Sequence, residues 1–252
     1  MNKIVMITGA TAGIGEACAH VFAKNNYDLI LTGRREGRLM SLTNELKETY
    51  KINVLPMVFD VRELSEVKNA IDSLDEKWKA IDILVNNAGL SVGLEPIQEG
   101  SFDDWNRMID TNVKGLLHIT RLVSPLMIAR KSGHIINLGS IAGKETYANG
   151  NVYCATKHAV DSLNKAMRID LLPHNIRVSA INPGAVETEF SLVRFKGDDE
   201  RAKNVYKGFE PLTAADIADT IYYVASLPPH VNINDLTIMP TAQANTVYWN
   251  KN

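Results

Sequence analysis

Cysteine is scarce. The 252 residues hold two, Cys18 and Cys154, both within stretches of helical spacing, which excludes a disulfide scaffold and fits reduced thiols in a cytoplasmic protein. Long apolar runs are missing as well. No stretch approaches the roughly 18 residues needed to span a bilayer. The first apolar run, Ile4-Val5-Met6-Ile7, is too short for a signal peptide and meets Thr8-Gly9 at once, so it reads as a strand. Neither sign of charge dominates: 27 Lys and Arg face 29 Asp and Glu, which disfavours nucleic acid as a partner. Linkers and internal repeats are absent too, so residues 1–252 read as a single domain.

What is present is an alternation. Lys3–Thr8, Asp28–Gly33, Asn53–Asp60, Ile81–Asn86, Gly133–Gly139, Ile176–Asn182 and Asp235–Met239 read as strands. Gly13–Asn25, Arg35–Tyr50, Arg62–Lys79, Phe102–Lys131, Asn151–His174 and Thr213–Ser226 have helical spacing. Strands in turn with helices imply βαβ units, and near-continuous apolar strands imply a sheet covered on both faces. The expected fold is α/β, a Rossmann-like doubly wound parallel sheet of seven strands. The polar segment 187–211 follows a strand's carboxyl end, where open α/β sheets bind ligands, and reads as a substrate lid.

Thr8-Gly9-Ala10-Thr11-Ala12-Gly13-Ile14-Gly15 follows the first strand. Its glycines let backbone N–H groups approach a pyrophosphate at the positive end of the next helix. The spacing departs from Gly-x-Gly-x-x-Gly, and tight strand-to-helix packing alone is the alternative reading. At the end of the second strand stand Gly33-Arg34-Arg35, where an NAD enzyme commonly has an acid for the ribose 2′-hydroxyl. Guanidinium groups there suit a 2′-phosphate and favour NADP, although the same arginines could simply begin a solvated helix.

Tyr153-Cys154-Ala155-Thr156-Lys157 places a phenol and an ammonium four residues apart on one helix face. A neighbouring cation favours phenolate, and lowering a phenol from about 10 to about 7 needs roughly 4 kcal/mol. In isolation the pair could equally be an ordinary amphipathic helix. Over nearly its whole length, however, the sequence resembles the short-chain dehydrogenase/reductase family. Thr8-Gly9-x3-Gly13-x-Gly15 is similar to that family's cofactor turn and Asn86-Asn87-Ala88-Gly89 to its motif after strand four. Asn112 lies in the helical stretch Phe102–Lys131, Ser140 ends the fifth strand, Tyr153-x3-Lys157 follows, and Pro183-Gly184 ends the sixth strand.

The resemblance implies Tyr153 as acid and base, Ser140 hydrogen-bonding the reacting oxygen, and Lys157 lowering the phenol pKa and holding ribose hydroxyls. Asn112 would position a water on the proton path. It also assigns Gly9, Thr11, Gly13, Ile14 and Gly15 to the pyrophosphate turn, and Arg34 and Arg35 to the 2′-phosphate. Asp60 and Val61 go to adenine, Asn86, Ala88 and Gly89 to the ribose, and Pro183, Gly184, Val186 and Thr188 to the nicotinamide end. No metal is implied.

The variable segment Thr188–Asp199, with His230–Asn234, is similar to NADP-dependent 3-hydroxy acid dehydrogenases, whose substrates carry a hydroxyl beta to a carboxylate. Arg194 is then the first candidate for the carboxylate partner, with Lys196 and Arg201 as competitors and a solvent-facing loop arginine as the alternative, and Tyr147, ahead of the catalytic tyrosine, is an expected substrate contact. A 3-oxoacyl reductase shares the same residues, and a non-catalytic NADP sensor shares the fold. A homotetramer pairing through the helices of Phe102–Lys131 and Asn151–His174 is also implied.

Overall fold

A computed structural model describes residues 2–252. The β-branched runs form β1 (Ile4–Thr8), β2 (Asp28–Gly33), β3 (Val54–Val58), β4 (Ile81–Asn86), β5 (Gly133–Leu138), β6 (Ile176–Pro183), the short β7 (Val186–Glu187) and β8 (Leu212–Thr213), and β9 (Asp235–Ile238). Between them lie α1 (Gly13–Lys24), α2 (Glu36–Tyr50), α3 (Leu64–Asp72), α4 (Phe102–Ile109), α5 (Leu116–Arg130), α6 (Asn151–Leu171), α7 (Phe190–Arg194), α8 (Asp199–Asn204) and α9 (Ala214–Ser226). Seven strands pair in parallel, as the alternation in the sequence predicts, and their order is β3-β2-β1-β4-β5-β6-β9, while β7 and β8 form a separate parallel pair.

Side chains alternate across a strand, and β1 shows what that does. Val5 and Ile7 face one layer with Cys18 and Phe22 of α1, Leu39 and Leu46 of α2, and Ile217 and Ile221 of α9. Ile4 and Met6 face the other, with Val67 of α3, Ile119 and Val123 of α5 and Val160 of α6. Each face thus buries its own apolar cluster, which is why these strands have no polar side. The strand order reverses between β1 and β4, and the crevice outside their carboxyl ends is where such sheets take ligands.

Three expectations change in detail. The helix expected over Phe102–Lys131 contains a π turn at Asp110–Gly115, which separates α4 from α5. The one expected over Arg62–Lys79 ends at Asp72, because the Asp75 carbonyl accepts the N–H groups of Trp78 and Lys79 and closes a separate turn. Segment 187–211 is more regular than a polar loop. It holds α7 and α8, and the Asp198 carboxylate caps α8 by accepting the Arg201 N–H at 3.0 Å.

Candidate active site

A cavity of about 430 Å³ opens at this crevice. At one end Thr8 ties β1 to β4: its hydroxyl accepts the N–H groups of Asn87 and Ala88, each at 3.0 Å, and Asn87 Nδ2 donates to the Thr8 and Gly9 carbonyls. Gly9 and Gly13 have φ of 68° and 57°, which L side chains rarely adopt. No side chain caps α1 at Ala12, so its first N–H groups remain available to an anion. Gly9, Thr11, Gly13 and Ile14 line the cavity. Gly15 does not. A Cβ there would come 2.3 Å from the Gly9 carbonyl oxygen, so it serves the packing of α1 against the turn.

Arg34 and Arg35 line the same end, with Asp60 and Val61 beside them. Arg34 Nη1 reaches Asp60 Oδ2 at 3.3 Å, and Arg62 grips that oxygen through Nε and Nη2. Burial pulls the Asp60 carboxyl upward, but hydrogen bonds from Arg62 and the charge of Arg34 outweigh it and hold the group below the usual carboxylate range. Ala88, Gly89, Pro183, Gly184, Val186 and Thr188 form the middle of the wall. Asn86, expected at the ribose, is corrected: it is buried behind the wall, where Nδ2 donates to Thr120 Oγ1 and Asn137 Oδ1. A strand residue preceding the bend points into the sheet, and Asn87 occupies the cavity side instead. The uncapped helix end, the glycine turn and the arginines together fit a dinucleotide with a 2′-phosphate.

At the other end Ser140, Tyr153 and Lys157 share the cavity wall, brought there by the end of β5 and the first turns of α6. Burial raises the Tyr153 phenol above its ordinary pKa, opposed by the Arg194 charge and by a hydrogen bond with the Ser140 hydroxyl. Lys157 reaches the same wall but spends one proton on the sheet. Its Nζ donates to the Leu138 carbonyl at 2.8 Å, and burial brings its own pKa down to about 8. Asn112 sits one layer behind. Its Oδ1 accepts the Leu90 N–H and its Nδ2 donates to the Leu90 carbonyl and Thr156 Oγ1, fixing the segment after β4 against α6.

Arg194 covers the phenol. Its Cζ lies 5.1 Å from the Tyr153 ring centroid and 4.9 Å from that of Phe190, whose ring meets Tyr153 edge-on. Arg194 Nη2 donates to the Tyr147 hydroxyl at 2.8 Å and Nε to Ser91 Oγ at 3.1 Å, while its carbonyl accepts the Gly93 N–H. Burial drives the Tyr147 phenol up, against the Arg194 charge. Ser91, Phe190, Val193 and Glu189 are contributors that the sequence reading leaves out. Ser91 lies two residues past a motif residue, and the other three flank Arg194 in the lid, so proximity was the available signal. Among the described residues, no group of three His, Cys, Asp or Glu could hold a metal ion, and no helix is long and apolar enough to cross a membrane.

The model of the short chain dehydrogenase family matches residues 3–198. This chain belongs to that family. It is 50% identical over 242 residues to an NADP-dependent 3-hydroxy acid dehydrogenase of Salmonella typhi, covering 96% of each chain. It is 45% identical over 245 residues to sulfoacetaldehyde reductase 2 of Chromohalobacter salexigens, covering 97% of this chain and 96% of that one. Among solved structures, a closed form of serine dehydrogenase complexed with NADP+ superposes with a TM-score of 0.92 at 46% identity over 99% of both chains. As a short-chain dehydrogenase, the chain has its glycine turn and its tyrosine–lysine pair facing one cavity.

Proposed function

We propose that this short-chain dehydrogenase is an NADP-dependent oxidoreductase that interconverts a small 3-hydroxy acid with its 3-oxo acid or semialdehyde. The observation that carries the reading is the Arg194 guanidinium, 5.1 Å from the ring of Tyr153, which lines the cavity that ends at Arg34 and Arg35. A cation beside a proton-transfer group selects substrates whose anion stands close to the reacting carbon. The relatives named for 3-hydroxy acid, serine and sulfoacetaldehyde chemistry support it.

NADP, when bound, supplies or accepts the hydride. The N-terminus of α1 and the turn Gly9–Gly13 hold its pyrophosphate, Arg34 and Arg35 its 2′-phosphate, and Pro183, Gly184 and Thr188 its nicotinamide end. In reduction Tyr153 Oη gives its proton to the substrate oxygen, and in oxidation it takes that proton back. Ser140 Oγ hydrogen-bonds the same oxygen and resists its drift during transfer. A phenol raised by burial is protonated at neutral pH, ready to donate in reduction. Oxidation needs the phenolate, which Arg194 favours. Lys157 keeps two ammonium protons beyond the one given to Leu138, enough for ribose hydroxyls. Asn112, through Leu90, fixes the wall beside which a water on the proton path would stand. Tyr147 and Arg194 hold the carboxylate, beneath a lid formed by 187–211.

A 3-oxoacyl reductase would need an open groove for its carrier, and Phe190 and Arg194 over Tyr153 argue against one. The deciding assay compares NADP-linked oxidation of serine, L-allo-threonine and 3-hydroxyisobutyrate with reduction of sulfoacetaldehyde and of a 3-oxoacyl thioester. Preference for the thioester would refute the substrate class. Tyr153→Phe is expected to abolish turnover while retaining NADP binding, and an active variant would remove the proton-transfer assignment. The same reading makes the protein a cytoplasmic homotetramer. Exposed Phe102, Leu117, Ile169 and Leu172 on the helices named for assembly support the second part.

A further inference from the structure

Every nitrogen of the Arg35 guanidinium already has a partner. Nε donates to Thr11 Oγ1 at 3.0 Å, Nη2 to the Thr11 carbonyl at 3.2 Å, and Nη1 to Glu189 Oε2 at 2.9 Å. The second oxygen of Glu189 takes Arg38 Nη1 at 2.7 Å. Glu189, the residue directly before α7, therefore ties that helix to the start of α2, across 154 and 151 positions of sequence. Hydrogen bonds from Arg35 and then Arg38 hold its carboxyl below the usual range, so it is an anion at neutral pH. Arg34 is differently placed, with Asp60 as its partner.

A carboxylate and a phosphate monoester ask the same thing of a guanidinium: parallel N–H donors and a compensating charge. A 2′-phosphate reaching Arg35 meets an arginine whose outward nitrogen is already held by Glu189. NAD has no such group and leaves the pair undisturbed. Arg38 makes the exchange feasible, since it keeps Glu189 paired when Arg35 turns to another anion.

Building on the NADP reading above, we infer that Glu189 is a specificity-determining residue acting through Arg35, an internal anion that competes with the cofactor's 2′-phosphate and limits the preference for NADP over NAD. Because Glu189 precedes the helix that brings Phe190 and Arg194 onto Tyr153, the competition sits between the phosphate end of the cavity and its chemical end.

The test is a thermodynamic cycle read by equilibrium binding. Dissociation constants for NADP and NAD are measured by fluorescence titration at low salt for the wild type, Glu189→Gln, Arg35→Met and the double variant. Glutamine keeps the size and one acceptor but removes the charge. The expected result is NADP binding tightened about fivefold in Glu189→Gln, as one partly exposed charge pair allows. NAD should be unchanged, and the gain should vanish when Arg35 is methionine. Equal shifts for both cofactors, unchanged or weaker NADP binding, or a gain that persists without Arg35 would overturn the inference. A wild type that binds NAD as tightly as NADP would instead overturn the cofactor reading on which it rests.

Discussion

Lys157 is a charge held where the fold disfavours charge. Burial brings it from an ordinary 10.5 down to about 8. The unfolded chain therefore binds more protons than the folded one between those two values, so stability rises with pH across that window, and the burden is greatest below about 8. The gap corresponds to about 3 kcal/mol, less about 1 for the bond to Leu138 that a replacement loses. Lys157→Met should accordingly be more stable than the wild type by about 2 kcal/mol at pH 7, with the advantage shrinking towards pH 10.5. Urea unfolding at both pH values measures it, and a constant difference would mean the ammonium is not the source. Tyr153 and Lys157 were legible because their separation is local and helical. Their electrostatics were not: Arg194, 41 positions beyond Tyr153 in the sequence, supplies the opposing charge, and Lys157 turns to a strand carbonyl.

At the scale of elements, the segment after β6 shows what periodicity cannot convey. A polar stretch such as Phe195–Arg201 signals solvent contact. Nothing local says that Arg194 will bond Ser91 from 103 positions away or Tyr147 from 47. The π turn at Asp110–Gly115 escaped for a related reason, since one extra residue per turn leaves the apolar spacing of a long helix nearly intact. The docking of α7 through Arg194 gives a kinetic expectation. Arg194→Met should raise KM for the hydroxy acid by roughly 10- to 100-fold, the worth of a charge-assisted hydrogen bond, and leave the NADP dissociation constant unchanged. Steady-state kinetics beside cofactor titration separates the two. An unchanged KM, or a parallel loss of cofactor affinity, would show that Arg194 holds the lid without meeting substrate.

For the whole molecule, the layering was readable because each strand's composition reports what covers it. Strands β1, β2 and β4 are apolar on both faces and are sandwiched by helices. The outermost helix faces carry the opposite signal. Ile169 near the end of α6 and Leu172 directly after it are 73% and 71% exposed, and Phe102 at the start of α4 is 75% exposed. Large apolar side chains left in water forgo about 25 cal/mol for each Å² that a partner could cover, and helix faces that pair across two-fold axes cover them in copies. The proposed homotetramer would sediment near 112 kDa, roughly four times the 27.9 kDa of one chain. Replacing Ile169 and Leu172 together by glutamate should shift the mass to smaller species while the isolated chain keeps its fold, because neither side chain belongs to either sheet-facing cluster. Sedimentation velocity with circular dichroism tests both halves, and a wild type that sediments as one chain would leave those exposed residues without the partner assigned to them.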